Sequence, residues 1–168
     1  NLTKKMKKII FAMLLALPMS VFAQKIGHVN IDAVAQGMPE YATMQTELQN
    51  LEKQFQEEMQ RKQTEIQGKA DAYDKEKATL SETLRTYREQ ELQKAVQELQ
   101  QFGQTSEQEY QRVATAKQNE IMEKIMKAVE EVGAAGGYTY ILPGNAIAYI
   151  GAGAADITDQ VKAKVGAK

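Results

Sequence analysis

From Pro39 to Pro143 the chain contains no proline, and most of that run follows one polar, glutamine-rich helical pattern. Proline breaks a helix interior, because it lacks the backbone N–H and its ring clashes with the preceding turn. A long stretch without it permits long helices. Tyr41, Met44, Leu48, Leu51 and Phe55 recur at alternating spacings of three and four, which is the seam of a coiled coil. Met59, Ile66, Ala70 and Tyr73 continue the seam, with polar gaps at Lys62 and Lys69. Almost everything beside it is Gln, Glu or Lys. So narrow an apolar stripe cannot wall a large globule, but it can pair with a second helix.

That second helix lies further along the same run. Around Ala78–Leu84 the sequence turns to Thr79, Ser81 and Thr83. Thr79-Leu-Ser-Glu82 fits a capping box, which satisfies the free N–H groups of a new helix start. A hairpin tip is placed near 78–84. The alternative is a single rod of ~140 Å. The return arm runs from about Glu82 to Val132, with Leu84, Tyr87, Leu92, Val96, Leu99, Phe102, Tyr110, Val113, Ile121, Ile125 and Val129 among its apolar positions. Gly68 and Gly103 interrupt the two arms, each at a cost of about 1 kcal/mol against alanine.

The flanks read differently. Lys25–Ile31 is a strand candidate, and Asp32 is placed as the cap of a short helical turn ended by Gly37. The glycine run Gly133–Gly137 ends the second arm. Tyr138–Leu142 reads as a strand, Pro143-Gly-Asn145 as a turn and Ala146–Ile150 as a further strand. Asp156 or Thr158 then caps a last short helix to Val165. The organisation is therefore 24–37 and 133–168 as a small β body with a C-terminal helix, and 38–132 as a helical arm. The β part is too small to bury a core alone, so several copies are expected to pool their strands. The fold class is α+β: a long antiparallel helical hairpin on a small β body completed by oligomerisation.

Residues 1–23 read as a secretory signal peptide. Lys4, Lys5, Lys7 and Lys8 form a basic region around Met6, Ile9–Leu17 is apolar, and Val21-Phe-Ala23 supplies small residues at −3 and −1. Asn1 is not an initiator, and Met6 is read as the start. Cleavage is expected after Ala23. The apolar run is shorter than the ~20 residues of a membrane span. The form of this signal, together with the absence of cysteine, points to the bacterial periplasm, with plain secretion as the alternative. Without those four lysines, 17 Lys+Arg of the total 21 face 22 Asp+Glu, a net of −5. A protein this acidic is a poor general binder of nucleic acid or anionic membrane.

The equipment of an enzyme is missing from the sequence. The single histidine, His28, has no cysteine or second histidine to complete a zinc site. Ser81 and Ser106 lie in no G-x-S-x-G elbow. Gly151-Ala-Gly153-Ala-Ala-Asp156 follows a strand candidate, but Asp156 would repel phosphate and no βαβ unit follows. No cofactor is expected. The arm residues Met59, Tyr73, Tyr87, Met122 and Met126 are singled out as candidate apolar contacts for a client, since methionine conforms to irregular surfaces.

These pieces, in order, resemble a known family. A signal peptide, Lys25-Ile-Gly-His-Val-Asn30, a Gln/Glu/Lys helical hairpin, Asn145-Ala-Ile-Ala-Tyr149, and Asp156-Ile-Thr158 before a closing helix look like the Skp/OmpH family of periplasmic chaperones. The resemblance implies a homotrimer whose pooled strands form a β body, with helical arms enclosing a cavity for unfolded outer-membrane proteins, and no use of ATP. It places Ile26, Val29, Ile141, Ile147 and Tyr149 in the trimer body. One departure stands out. The best-known members are strongly basic with positive arm tips, whereas residues 39–132 carry 13 basic and 19 acidic side chains here, a net of −6. That weighs against lipopolysaccharide or membrane contact but leaves apolar holding untouched. The alternative is a structural coiled-coil spacer of the cell envelope without clients.

Overall fold

The structure, a computed structural model, describes residues 24–168; the signal-peptide reading of 1–23 lies outside them. The elements are β1 (Ile26–Val29), α1 (Ile31–Gly37), α2 (Pro39–Glu76), α3 (Glu82–Gly136), β2 (Tyr140–Pro143), a 3₁₀ turn (Gly144–Ala146), β3 (Ala155–Asp156) and α4 (Thr158–Val165). The fold is α+β: two long helices form a hairpin on a three-stranded sheet of order β2-β1-β3, in which both outer strands run parallel to β1.

The first helix begins two residues earlier than the sequence suggested. Asn30, not Asp32, is the N-cap of α1, with its Oδ1 accepting the Ala33 N–H at 3.0 Å. Asp32 sits in the first turn, where its charge suits the positive end of the helix dipole. Pro39 then separates α1 from α2. It forces the preceding residue out of the helical region, and Met38 accordingly is extended, with φ −75° and ψ 137°. Pro39 itself opens α2, where its missing N–H has no partner to lose.

At 1.5 Å per residue, α2 spans roughly 57 Å and α3 roughly 80 Å. Their seam follows the heptad-like positions. Met44 is buried, and Leu48, Leu51, Phe55, Met59, Lys62, Ile66, Ala70 and Tyr73 are half-buried. Antiparallel pairing is visible in contacts that step in opposite directions along the helices. Lys124 Nζ meets Glu40 Oε1 at 2.7 Å, Lys117 meets Glu47 at 2.8 Å, and Phe55 packs edge-on to Phe102 with ring centroids 6.2 Å apart. Lys62 occupies its seam position by laying its ammonium group 5.7 Å from the Phe102 ring centroid. Two basic side chains pass over an acid one helical turn away. Arg61 bonds Glu58 rather than Glu57, and Lys124 reaches across to Glu40 rather than to Glu120.

The hairpin turns over residues 77–81. Ser81 caps α3, its Oγ accepting the Leu84 N–H at 3.4 Å. Thr79 cannot do so, because its hydroxyl closes α2 by donating to the Glu76 carbonyl. At the other end, α3 continues through Gly133 to Gly136. Gly137 stops it at φ 64°, and the Tyr138 N–H returns to the Gly133 carbonyl at 3.0 Å, a left-handed cap that glycine adopts without a Cβ clash. Gly133 serves a different purpose: a Cβ there would lie 2.8 Å from Ile141 Cδ1. It lets β2 lie close against the helix.

The core sits at the root of the arms. Val29, Val34, Met38, Met44, Ile121, Ile125, Ala128, Val129, Val132, Ile157 and Val161 form one buried cluster. It is enclosed by the start of α2, the end of α3, α1, α4 and one face of the sheet. The α4 end is tied to the sheet by hydrogen bonds: Ile157 N–H to the His28 carbonyl at 2.9 Å, and Asn30 N–H to Thr158 Oγ1 at 3.0 Å. Asp156 accepts the Thr158 N–H at 2.9 Å.

The expected strand over Ala146–Ile150 does not form. Both neighbours of β1 are parallel to it, so the chain leaving β2 at Pro143 must return to the opposite end of the sheet before β3. Residues 147–150 belong to that return and are unpaired. The third strand is the two-residue Ala155–Asp156 instead.

Candidate functional site

In a parallel ladder, residues paired across strands point to the same face, and successive residues alternate. Ile26 pairs with Tyr140 and His28 with Leu142, while Gly27 pairs with Ile141 and Val29 with Pro143. One face therefore carries Gly27, Val29 and Ile141 toward the core. The other carries Ile26, His28, Tyr140, Leu142 and Asp156 away from it. Ile26, Tyr140 and Leu142 are 50%, 54% and 42% exposed on that outward face. Tyr149 and Ile150, in the return segment, are exposed as well. His28 lies between these apolar side chains with Nδ1 4.0 Å from Asp156 Oδ1. Hydrogen bonds from the Thr158 hydroxyl and N–H hold the Asp156 carboxyl below its usual range, and His28 adds to this.

Of the body residues chosen from the sequence, Ile26 lies on the outward face and Tyr149 is exposed in the return segment. Ile147 is half-buried there, Val29 is committed to the subunit's own core, and Ile141 is half-buried over Gly133. Tyr140 and Leu142 were not singled out. The alternation Tyr138-Thr-Tyr-Ile-Leu142 carries them on one face, but only the register with β1 decides which face meets the core.

The arm residues separate into two groups. Met59 lies at the helix seam opposite Gly103, and Tyr73 donates its hydroxyl to Glu89 on the other helix. That acceptor raises the Tyr73 pKa. These two are partly spent on the hairpin itself. Tyr87, Met122 and Met126 are 57%, 44% and 51% exposed. The two methionines, one helical turn apart, stand on α3 beside the buried Ile121 and Ile125 but outside the seam. Leu84, also 50% exposed, joins Tyr87 near the tip.

Neither serine stands in a catalytic arrangement among the described residues. Ser81 caps α3, and Ser106 is buried between the arms. Among the described residues no three His, Asp or Glu side chains converge as metal ligands would, and no helix is long and apolar enough to cross a membrane.

A helical hairpin with a thin seam, standing on a sheet with one uncovered apolar face, defines an α+β protein built around arms rather than around a catalytic cleft. The family model described as "Outer membrane protein (OmpH-like)" matches residues 25–165, and the chain belongs to that OmpH/Skp family. It is 31% identical over 151 residues to a protein named "Chaperone protein Skp" from Yersinia enterocolitica, covering 88% of this chain and 92% of the relative. It is 30% identical over 165 residues to the protein of the same name from Photorhabdus luminescens, covering 94% and 100%. The fold is also that of a putative outer membrane chaperone (OmpH-like) from Caulobacter crescentus, with a TM-score of 0.75, 18% identity, and coverage of 84% of this chain and 83% of that one. These relatives are chaperones, and the family is not one of enzymes.

Proposed function

We propose that this protein is a periplasmic, ATP-independent holdase chaperone. It would work as a homotrimer whose arms surround unfolded outer-membrane proteins and keep them from aggregating. The observation that carries this reading is the outward sheet face. Ile26, Tyr140 and Leu142 present an apolar surface that one subunit leaves half exposed, and the neighbouring segment 147–150 has β-rich sequence but no strand partner. A second and third copy would cover the face and pair the segment, with Ile147 and Tyr149 at the joint and Val29 and Ile141 supporting it from the core. Three roots held together leave three arms free to diverge.

Holding would rest on many weak contacts rather than one strong site. Three arms on one body raise the effective concentration of each contact for the others. Met122, Met126 and Tyr87 are the exposed arm candidates, while Met59 lines the opening of the seam and Tyr73 adds its partly exposed ring nearer the tip. The acidic arms disfavour lipopolysaccharide and anionic membrane. Export would use residues 1–23, with cleavage after Ala23.

The test is suppression of aggregation. Purified protein should keep a urea-denatured β-barrel membrane protein soluble on dilution, at about one trimer per client. The Met122→Gln/Met126→Gln double variant should do so less well at unchanged subunit stability. Failure of the unmodified protein at stoichiometric trimer would overturn the reading. In the same experiment, small-angle scattering showing a filled rod would favour the envelope spacer.

A further inference from the structure

Midway along the arm the seam thins. Gly103 faces Met59, and a Cβ placed on Gly103 would still be 3.8 Å from the Met59 methyl group. One turn further on stands Ser106. Where other seam positions carry Leu99, Phe102 and Tyr110, these two small residues leave an open hollow of about 640 Å³ between the helices, within the range of ligand sites. Ser106 is only 8% exposed, yet its hydroxyl has no hydrogen-bond partner. Thr43, Thr46, Thr64 and Thr105 each donate instead to the carbonyl four residues back. A helix-weakening glycine and an unpaired buried hydroxyl both stand against the stability of the arm at one place.

The hollow has a defined chemistry. Its floor is Phe55, Met59, Gly103 and Ser106, with Tyr110 also in the lining. One wall carries Gln56, Gln60 and Gln63, which fall on a single face of α2 at spacings of four and three. The Gln56 amide makes a long contact of 3.3 Å to Glu52, and that of Gln60 one of 3.5 Å to Thr64, so both are readily drawn elsewhere. Glu52 and Glu107 stand at the rim, and the ion pairs found among the described residues do not include either. From Glu52 to Gln63 the groove runs roughly 16 Å along the helix, the length of about five residues of extended chain.

We infer that this groove binds an extended polypeptide segment of alternating apolar and polar residues flanked by lysine or arginine. The inference deepens the chaperone reading and rests on it for the source of such segments. An extended chain turns every second side chain to the apolar floor. Its peptide groups then meet the glutamine amides, which donate and accept alike and so recognise backbone rather than sequence. The two carboxylates accept only glutamine amides, Gln56 at 3.3 Å and Gln111 at 3.0 Å, so their charge is left to favour flanking cations. Strands of outer-membrane barrels alternate in this way when unfolded, so the groove would select for that pattern without selecting for one protein.

The test uses the full oligomer and the peptide acetyl-Lys-Leu-Thr-Leu-Thr-Leu-Lys-amide, titrated while the backbone amide signals of Gly103 and Ser106 are followed by NMR. Saturable shifts at both are expected, with binding at least tenfold weaker for the block isomer acetyl-Lys-Leu-Leu-Leu-Thr-Thr-Lys-amide and for the peptide with Glu in place of Lys. Gly103→Leu should fill the hollow and weaken binding at least tenfold with helicity intact, whereas Gly103→Ala should retain it. The Gln56→Leu/Gln60→Leu variant separates backbone recognition from stickiness: recognition predicts weaker binding, mere apolarity stronger. Equal binding of the block isomer, or tighter binding by the leucine variant, would overturn the inference. Aggregation suppression then decides the wider reading separately. Normal suppression by Gly103→Leu would remove the groove but leave the chaperone; peptide binding without any suppression would remove the chaperone but leave the groove.

Discussion

Ile125→Ala tests where the stability of the subunit resides. Ile125 is fully buried at the root, in the cluster that includes Val34, Val129, Ile157 and Val161. The substitution removes three carbon groups, at about 0.8 kcal/mol each, or roughly 2.4 kcal/mol of lost transfer free energy. Helices, sheet and α4 all converge there, so the space can collapse only in part, and the cavity left behind raises the cost to about 3–4 kcal/mol. At 1.4 kcal/mol per factor of ten, the ratio of folded to unfolded protein should fall roughly 150- to 700-fold. Urea unfolding followed by circular dichroism, at one fixed subunit concentration because the protein is proposed to oligomerise, would measure it. Leu99→Ala is the comparison. Leu99 is only half-buried, in the outer seam, and should cost about 1 kcal/mol. Equal losses at the two sites, or a loss under about 1 kcal/mol at Ile125, would refute a stability seated at the root.

Other outcomes follow from single features. Gly137→Ala should destabilise the subunit by about 1–2 kcal/mol, since it places a Cβ in the left-handed conformation at φ 64°, and thermal unfolding would read the loss. Asp156 has its folded pKa depressed by the Thr158 hydrogen bonds and His28. A depressed carboxyl gives stability that is fully present above its unfolded value near 4 and is lost as pH falls through the folded one. Asp156→Asn should therefore flatten the acid limb of a stability-versus-pH curve below about pH 4; an unchanged limb would refute this role. Leu142→Asp puts a charge on the outward sheet face, where the lone subunit leaves the side chain 42% exposed. Sedimentation should show dissociation to folded monomers, and an intact oligomer would contradict the assignment of that face. Ile147→Asp should weaken the same assembly.

Much of the architecture could be read from local pattern. The three-four spacing from Tyr41 to Phe55 marks a helix whichever partner it finds, because the period is set by backbone geometry. Pro39 and the glycines around Gly137 act on their own backbone angles, so their role as punctuation is also local. The errors arose where two groups compete for one partner. Thr79 and Ser81 both suit a cap, and the carbonyl of Glu76 settles the matter by taking the Thr79 hydroxyl. Ala146–Ile150 has the composition of a strand, but a parallel sheet leaves it the task of crossing back.

By itself, the sequence determined the two arms, their turn, the strand at Ile26–Val29 and the family, because periodicity, proline placement and short ordered motifs are properties of neighbouring residues. Only the tertiary structure decided the rest. The parallel register turned Val29 inward and Tyr140 and Leu142 outward, and a shift of one residue would have exchanged those faces. The antiparallel register of the hairpin set Gly103 opposite Met59. That alignment turns an interruption of one helix into a groove between two.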